Sequence, residues 1–144
     1  MKKVLFVATV PGHINVFHTP YLKYFKDNGY EVHVASSRND NLIFCDRNII
    51  IPIKRSPYKF SNIIAIKKLK KIIEEEKYEI IHCHTPMGGV VTRLAAKKSR
   101  KNGTRVIYTA HGFHFFKGAP LKNWLLYYAI EKNLDSYFYA IMPT

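Results

Sequence analysis

Two cysteines in 144 residues are too few for a disulfide framework, and Cys83 lies inside an apolar run, as an inert thiol in a reducing compartment would. Neither ordinary nucleotide signature is present: the chain has no G-x-G-x-x-G fingerprint and no G-x-x-x-x-G-K-S/T phosphate loop. No apolar run approaches the ~20 residues of a membrane span, so any membrane association is expected to be peripheral. Met1-Lys2-Lys3 and the run Val4 to Val10 imitate a signal peptide, but the run is minimal and meets Pro11-Gly12-His13 without a small-x-small cleavage site. Acidic residues are scarce as well. Ten Asp and Glu against 23 Lys and Arg give a net charge of +13, which favours anionic partners: nucleic acid, phosphorylated substrates or an acidic membrane surface. Nucleic-acid binding needs exposed aromatics interleaved with basic residues on one surface. The lysines here fall on helix backs, away from the aromatics, so no nucleic-acid partner is expected. The sequence has no internal repeat and no low-complexity linker, and at 47% hydrophobic it suits one domain with its own core, residues 1–144.

What is present is an alternation of strands and helices. Residues 3–10 read as a first strand and Pro11-Gly12-His13-Ile14-Asn15 as the turn that leaves it. Thr19 reads as a helix N-cap before Pro20, and Gly29 as the stop. Glu31 to Ser36 is a second strand, so this unit requires a parallel, right-handed crossover. Ile49 to Ile53 is a short third strand in which Pro52 indicates a sheet edge. The basic loop Lys54 to Lys59 follows, then a helix from Ser61 with apolar positions Ile63, Ile66, Leu69 and Ile73. Its outward Lys67, Lys68, Lys70 and Lys71 either meet acidic lipid or form a solvated face paired with Glu74 and Glu75. Glu79 to His84 is a fourth strand, and Val90, Val91, Leu94 and Ala95 continue a helix to Asn102-Gly103. Arg105 to Thr109 is a fifth strand. Pro120 opens a helix through Trp124, Leu125, Tyr128 and Leu134, with Leu125 in the core and Trp124 and Tyr128 packed on the sheet. Tyr137 to Met142 starts a sixth strand. The fold class is α/β: a Rossmann-like, doubly wound parallel sheet ordered 3-2-1-4-5, with the sixth strand beginning at the C-terminus.

In such a sheet the carboxyl ends of the strands face one crevice, and three loops meet there: Pro11-Gly12-His13, His84-Thr85-Pro86-Met87-Gly88-Gly89, and His111-Gly112-Phe113-His114. Each brings a histidine and a glycine. The glycines let a ligand approach the backbone, and helix N-terminal N–H groups face negative charge. A ligand site is therefore expected at Gly12, His13, His84, Gly88, His111, Gly112 and His114. His82 and His84 share a strand face, but Cys83 points the other way and no carboxylate or C-x-x-C follows at ligand spacing, so no metal site is expected. His33 reads as structural. Phe113, Phe115 and Phe116 are either a platform for bases and sugars or packing.

The stretches TAHGFHFFKGAP with LKNWLLYYAIEK, IIHCHTPMGGVVTRLAA, IPIKRSP and FHTPYLKYFKDNGYEVHVAS resemble, in order, the N-terminal half of bacterial retaining glycosyltransferases of family 4, notably capsular and exopolysaccharide enzymes. The resemblance covers nearly the whole chain. It implies a GT-B enzyme whose two Rossmann-like domains face one cleft, the N-terminal one holding a glycan or lipid-linked acceptor and the other a nucleotide-sugar donor. Transfer would retain anomeric configuration with no metal and no cofactor. By motif, Gly12 would approach the donor phosphates and acceptor, and His111 would hydrogen-bond the donor sugar near the reacting carbon; His13, His84 and His114 would be acceptor contacts. Family members continue from the sixth strand into a donor-binding domain with a paired-glutamate motif, which is absent from these 144 residues. The chain is thus expected to be inactive alone, being a fragment, a truncated product or one subunit of a split enzyme whose separate donor-binding polypeptide supplies the rest. A non-catalytic recruiting subunit is the alternative. The expected location is cytoplasmic, at the inner face of the plasma membrane.

Overall fold

The computed structural model describes residues 1–110, 117–134 and 139–141. Its strands are β1 (Lys3–Val7), β2 (Glu31–Ser36), β3 (Arg47–Ile50), β4 (Ile80–His84), β5 (Arg105–Thr109) and β6 (Tyr139–Ile141). All pair in parallel, in the order β3-β2-β1-β4-β5-β6; the first five follow the predicted 3-2-1-4-5, and the sixth strand adds beside β5. Between them run α1 (Pro11–Phe17), α2 (Thr19–Asp27), α3 (Ser61–Glu76), α4 (Pro86–Ala95) and α5 (Lys97–Lys101). After β5 come α6 (Leu121–Asn123), a π-helical turn (Trp124–Tyr128) and α7 (Ala129–Leu134).

The two faces of the sheet follow from the two-residue period of a strand. Leu5 and Val7 of β1, Ile81 and Cys83 of β4, and Val106 and Tyr108 of β5 pack on one face against Ala65, Leu69 and Ile73 of α3 and Met87, Val91 and Ala95 of α4. Val4 and Phe6, with Val32 and Val34 of β2, pack on the other against Ile14 of α1 and Leu22 of α2. A strand buried on both faces has no polar alternation, which is why β1 reads as an unbroken apolar run. Cys83 is fully buried, and burial pushes its thiol up to about 12, so it is unreactive at neutral pH.

Several boundaries differ from the sequence expectation. Residues 11–15 are not a turn: Pro11 opens α1, since a proline at the first helical position loses no needed N–H. Thr19 does not cap α2; its hydroxyl donates to the Asn15 carbonyl at 2.8 Å, tying α2 back to α1. The third strand lies earlier in the chain, at Arg47–Ile50. The Asp46 carboxylate accepts from the Val32 N–H at 2.8 Å and Asp46 N–H donates to the Val32 carbonyl at 2.8 Å, which sets this earlier register. Pro52 offers no ladder donor, and β3 is the edge strand that the proline indicates. The helix predicted to run unbroken to Asn102 divides at Ala96. In α3 the buried face is Asn62, Ala65, Leu69 and Ile73, while Ile63 is exposed.

The largest correction concerns the last helical segment. Leu125, expected in the core, is 68% exposed, and Tyr128 is 47% exposed. The π turn carries more residues per turn than an α-helix, so a stripe counted at 3.6 loses phase there. Leu134 is the residue of α7 that is buried. Leu125→Ala should accordingly change the stability of this chain by no more than about 0.5 kcal/mol, the range of surface substitutions. A urea melt measures it, and a loss of several kcal/mol would contradict the exposed placement.

Candidate functional site

The site begins with a hydroxyl pair at the ends of the two central strands. Thr85 sits at φ 65, unusual for a β-branched residue, and its Oγ1 accepts the Thr9 N–H at 3.2 Å and lies 2.8 Å from Thr9 Oγ1. The same oxygen accepts the Gly88 N–H, capping α4. A Cβ on Gly88 would stand 2.8 Å from Thr85 Oγ1 and 3.4 Å from Ala8 Cα, so a glycine there lets α4 start hard against the end of β1. One at Gly89 would stand 2.7 Å from the Tyr108 ring. Around Gly12, in the first turn of α1, the same test meets nothing within 4 Å.

A cleft of about 590 Å³ opens beside this pair. Thr9, His13, Thr85 and Met87 line its inner side, and the loop Arg55 to Tyr58 and Lys122 with Leu126 line the rest. The loop is held from below. The Asn62 carbonyl accepts the Lys54 N–H at 2.8 Å, and its amide donates to the Ser56 carbonyl at 2.9 Å. Arg55, Lys122 and the N-terminal end of the ten-residue α4 give the cleft a positive bias beside apolar walls.

Behind the cleft the fold gathers imidazoles. His82 and His84 project from β4 toward the α1 and α2 side, where the His84 ring stacks on His18 at a centroid distance of 3.7 Å and lies 4.1 Å from His82. His13 is 5.3 Å from His18 and 5.9 Å from His84. The Phe6 ring lies parallel to His84 and closes the inner side of the cluster. His82 Nε2 bonds Thr109 Oγ1 at 2.7 Å. His33 is on the opposite face, between the Tyr78 hydroxyl and Glu31, each 2.7 Å away, in the structural role its sequence position suggests.

Of the residues expected at the site, His13, His84, Gly12 and Gly88 stand at the carboxyl ends of β1 and β4. Only His13 among them lines the cleft; His84 and Gly88 are buried. His111, Gly112 and His114, with Phe113, Phe115 and Phe116, lie outside the described residues, as does the side chain of Trp124. Sequence reasoning missed His18, Arg55, Asn62 and Arg93. Arg93 is fully buried and sends two donors to Glu131 of α7 at 2.9 and 3.1 Å, a third to the Gly89 carbonyl at 2.9 Å, and its plane over the Tyr108 ring at 4.5 Å. Its signal was a lone cation in an otherwise apolar helix.

The family model described as "Glycosyl transferase 4-like" matches residues 3–143. The chain is 55% identical over 136 residues to the putative glycosyltransferase EpsD of Bacillus subtilis (strain 168), covering 94% of this chain and 36% of that protein. It is 26% identical over 128 residues to the capsular polysaccharide biosynthesis glycosyltransferase CapM of Staphylococcus aureus, covering 88% of this chain and 33% of that protein. Among solved structures, UDP-GlcNAc 2-epimerase from Neisseria meningitidis bound to UDP-GlcNAc superposes with a TM-score of 0.65 at 17% identity, over 100% of this chain and 40% of the other, a likeness of fold. The chain thus spans about a third of the length of the curated relatives it matches. A parallel sheet in the 3-2-1-4-5 order, a basic cleft at its switch point and a family match across nearly every residue converge: this chain belongs to the glycosyl transferase 4-like family.

Proposed function

We propose that residues 1–144 form the acceptor-side domain of a glycosyltransferase that moves a sugar from a nucleotide-sugar donor to a lipid-linked or glycan acceptor in cell-surface polysaccharide synthesis. The donor-side half belongs to further chain or to a separate polypeptide. The observation that carries this reading is the basic, apolar-walled cleft at the carboxyl ends of β1 and β4, in a chain with a 55% identical glycosyltransferase relative. The apolar wall suits a sugar face or lipid, and the cations suit an acceptor or donor phosphate. His13 contacts the ligand and His84 supports His13 from behind, while Gly12, with nothing within 4 Å of an added Cβ, leaves room next to His13 in the first turn of α1. His111, with Gly112 and His114 beside it, orients the donor sugar and steadies developing positive charge. Transfer proceeds with retention, and no metal or cofactor acts at the reacting carbon. The test is transfer from a panel of nucleotide sugars to lipid-linked acceptors by the full-length polypeptide carrying this domain. The 144-residue polypeptide should fold yet transfer nothing until a donor-side half is added. Donor-independent binding of a partner protein, with no transfer under any pairing, would favour a recruiting subunit instead.

The domain works at an anionic membrane surface on the cytoplasmic side. Lys67, Lys68, Lys70 and Lys71 are exposed along α3, and Phe60, Ile63 and Ile64 are exposed at its start. Among the described residues no helix is long and apolar enough to cross a membrane, so the association proposed is peripheral. Each basic residue near such a surface contributes about 1 kcal/mol, and salt screens it. Co-sedimentation with phosphatidylglycerol vesicles should fall with added salt and on changing the four lysines to Gln. Sedimentation indifferent to both lipid charge and salt would remove the idea.

A further inference from the structure

Among the described residues, His13, His18 and His84 each offer one ring nitrogen, and these atoms lie within 4.8 Å of one another. We infer that these three histidines bind a single divalent transition-metal ion of the zinc class at the back of the cleft. The sequence hides this set. Read for a metal it offers only His82, Cys83 and His84, a set excluded because Cys83 points the other way, whereas the fold brings His13 from α1 and His18 from the α1–α2 junction over the end of β4.

All three donors are imidazole nitrogen, with no carboxylate in the group. That composition suits zinc, cobalt, nickel or copper, and disfavours magnesium and calcium, which take oxygen. In a tetrahedral site two metal–nitrogen bonds of about 2.1 Å set their nitrogens about 3.4 Å apart, so a pair at the 4.8 Å limit closes by about 1.4 Å on binding, through rotation of the imidazole rings. His18 and His84 are buried, His84 with the Phe6 ring parallel behind it, while His13 is half-buried and lines the cleft. Three ligands on the protein side and one open side toward solvent is the pattern of a zinc site that keeps an exchangeable position. The cleft is the entry path, and the fourth ligand is water or an oxygen of an anion lying there. The inference does not depend on the transferase reading, because it rests on the three side chains alone.

The test uses the untagged chain freed of metal with a chelator. Cobalt(II) titration is followed by visible absorption, and zinc(II) binding by calorimetry and by melting temperature, with magnesium(II) as the contrasting cation. One equivalent of zinc or cobalt is expected, with saturable thermal stabilisation and no response to magnesium. Removing a ligand should weaken binding by at least about 100-fold, since even outer partners of metal ligands cost up to that. His13→Gln is the first variant because its half-exposed position leaves the core intact, and circular dichroism without metal confirms its fold. His18→Gln is the second. Absence of one-to-one binding by the native chain, or undiminished binding by folded His13→Gln, overturns the proposal. Should His18→Gln fail to fold, His13→Gln still decides.

Discussion

Replacing His111 with Ala in the full-length polypeptide that carries this domain should slow sugar transfer about 100- to 1,000-fold, with the melting temperature nearly unchanged. The size follows from the role proposed. A positioned group that meets charge developing only in the transition state is worth roughly 2.7 to 4 kcal/mol, and its loss falls on kcat more than on KM. The constancy of the fold is expected because the position changed follows β5, whose buried residues are Val106 and Tyr108, and the role proposed for it is in transfer. Initial rates with labelled donor measure the first effect, and a thermal melt the second. A variant retaining the full transfer rate would remove His111 from the site. A variant that melts far earlier would give it a structural role.

Glu131→Ala should destabilise the chain by about 3 to 5 kcal/mol, the cost of taking a carboxylate partner from a buried charge. The Arg93 side chain is fully buried and Glu131 is 13% exposed, so neither is effectively screened by water. The ring of Tyr108 and the Gly89 carbonyl still contact the guanidinium, but neither carries a negative charge to replace the carboxylate. An Arg93→Met, Glu131→Leu double variant should recover most of the loss, because replacing both partners removes the desolvation cost with the attraction. Urea titrations of the three proteins measure this. A Glu131→Ala loss under about 1 kcal/mol would show that Arg93 is held by its other contacts.

The fold was legible because its signals are local and repeated. Apolar runs of five to eight residues separated by amphipathic helices require parallel crossovers, and that requirement leaves few sheet orders. Boundaries failed where a tertiary contact overrode local chemistry. The Asp46 carboxylate pairs with β2 and moves β3 toward the N-terminus. The π turn defeats a 3.6-residue count at Leu125. The site was half legible. A histidine beside a glycine at the end of a strand points to a cleft, and Gly12, His13 and His84 do stand at the carboxyl ends of β1 and β4, where His13 lines one. His18 was invisible because it reaches the other imidazoles from the junction of two helices, a break that no pattern of apolar residues marks. Arg55 was visible only as charge, since its place at the cleft depends on Asn62, a polar residue on the buried side of α3.

That asparagine has an evolutionary consequence. Both of its side-chain bonds run to main-chain groups of the loop, at Lys54 and Ser56; neither depends on which side chains the loop carries. The path of residues 54 to 56 is therefore encoded in the first turn of a helix, separately from their identities. Substitutions at position 55 can exchange charge, length or polarity at the rim of the cleft without disturbing where the rim stands. A lineage can in this way change by point mutation what the cleft admits while keeping the same scaffold.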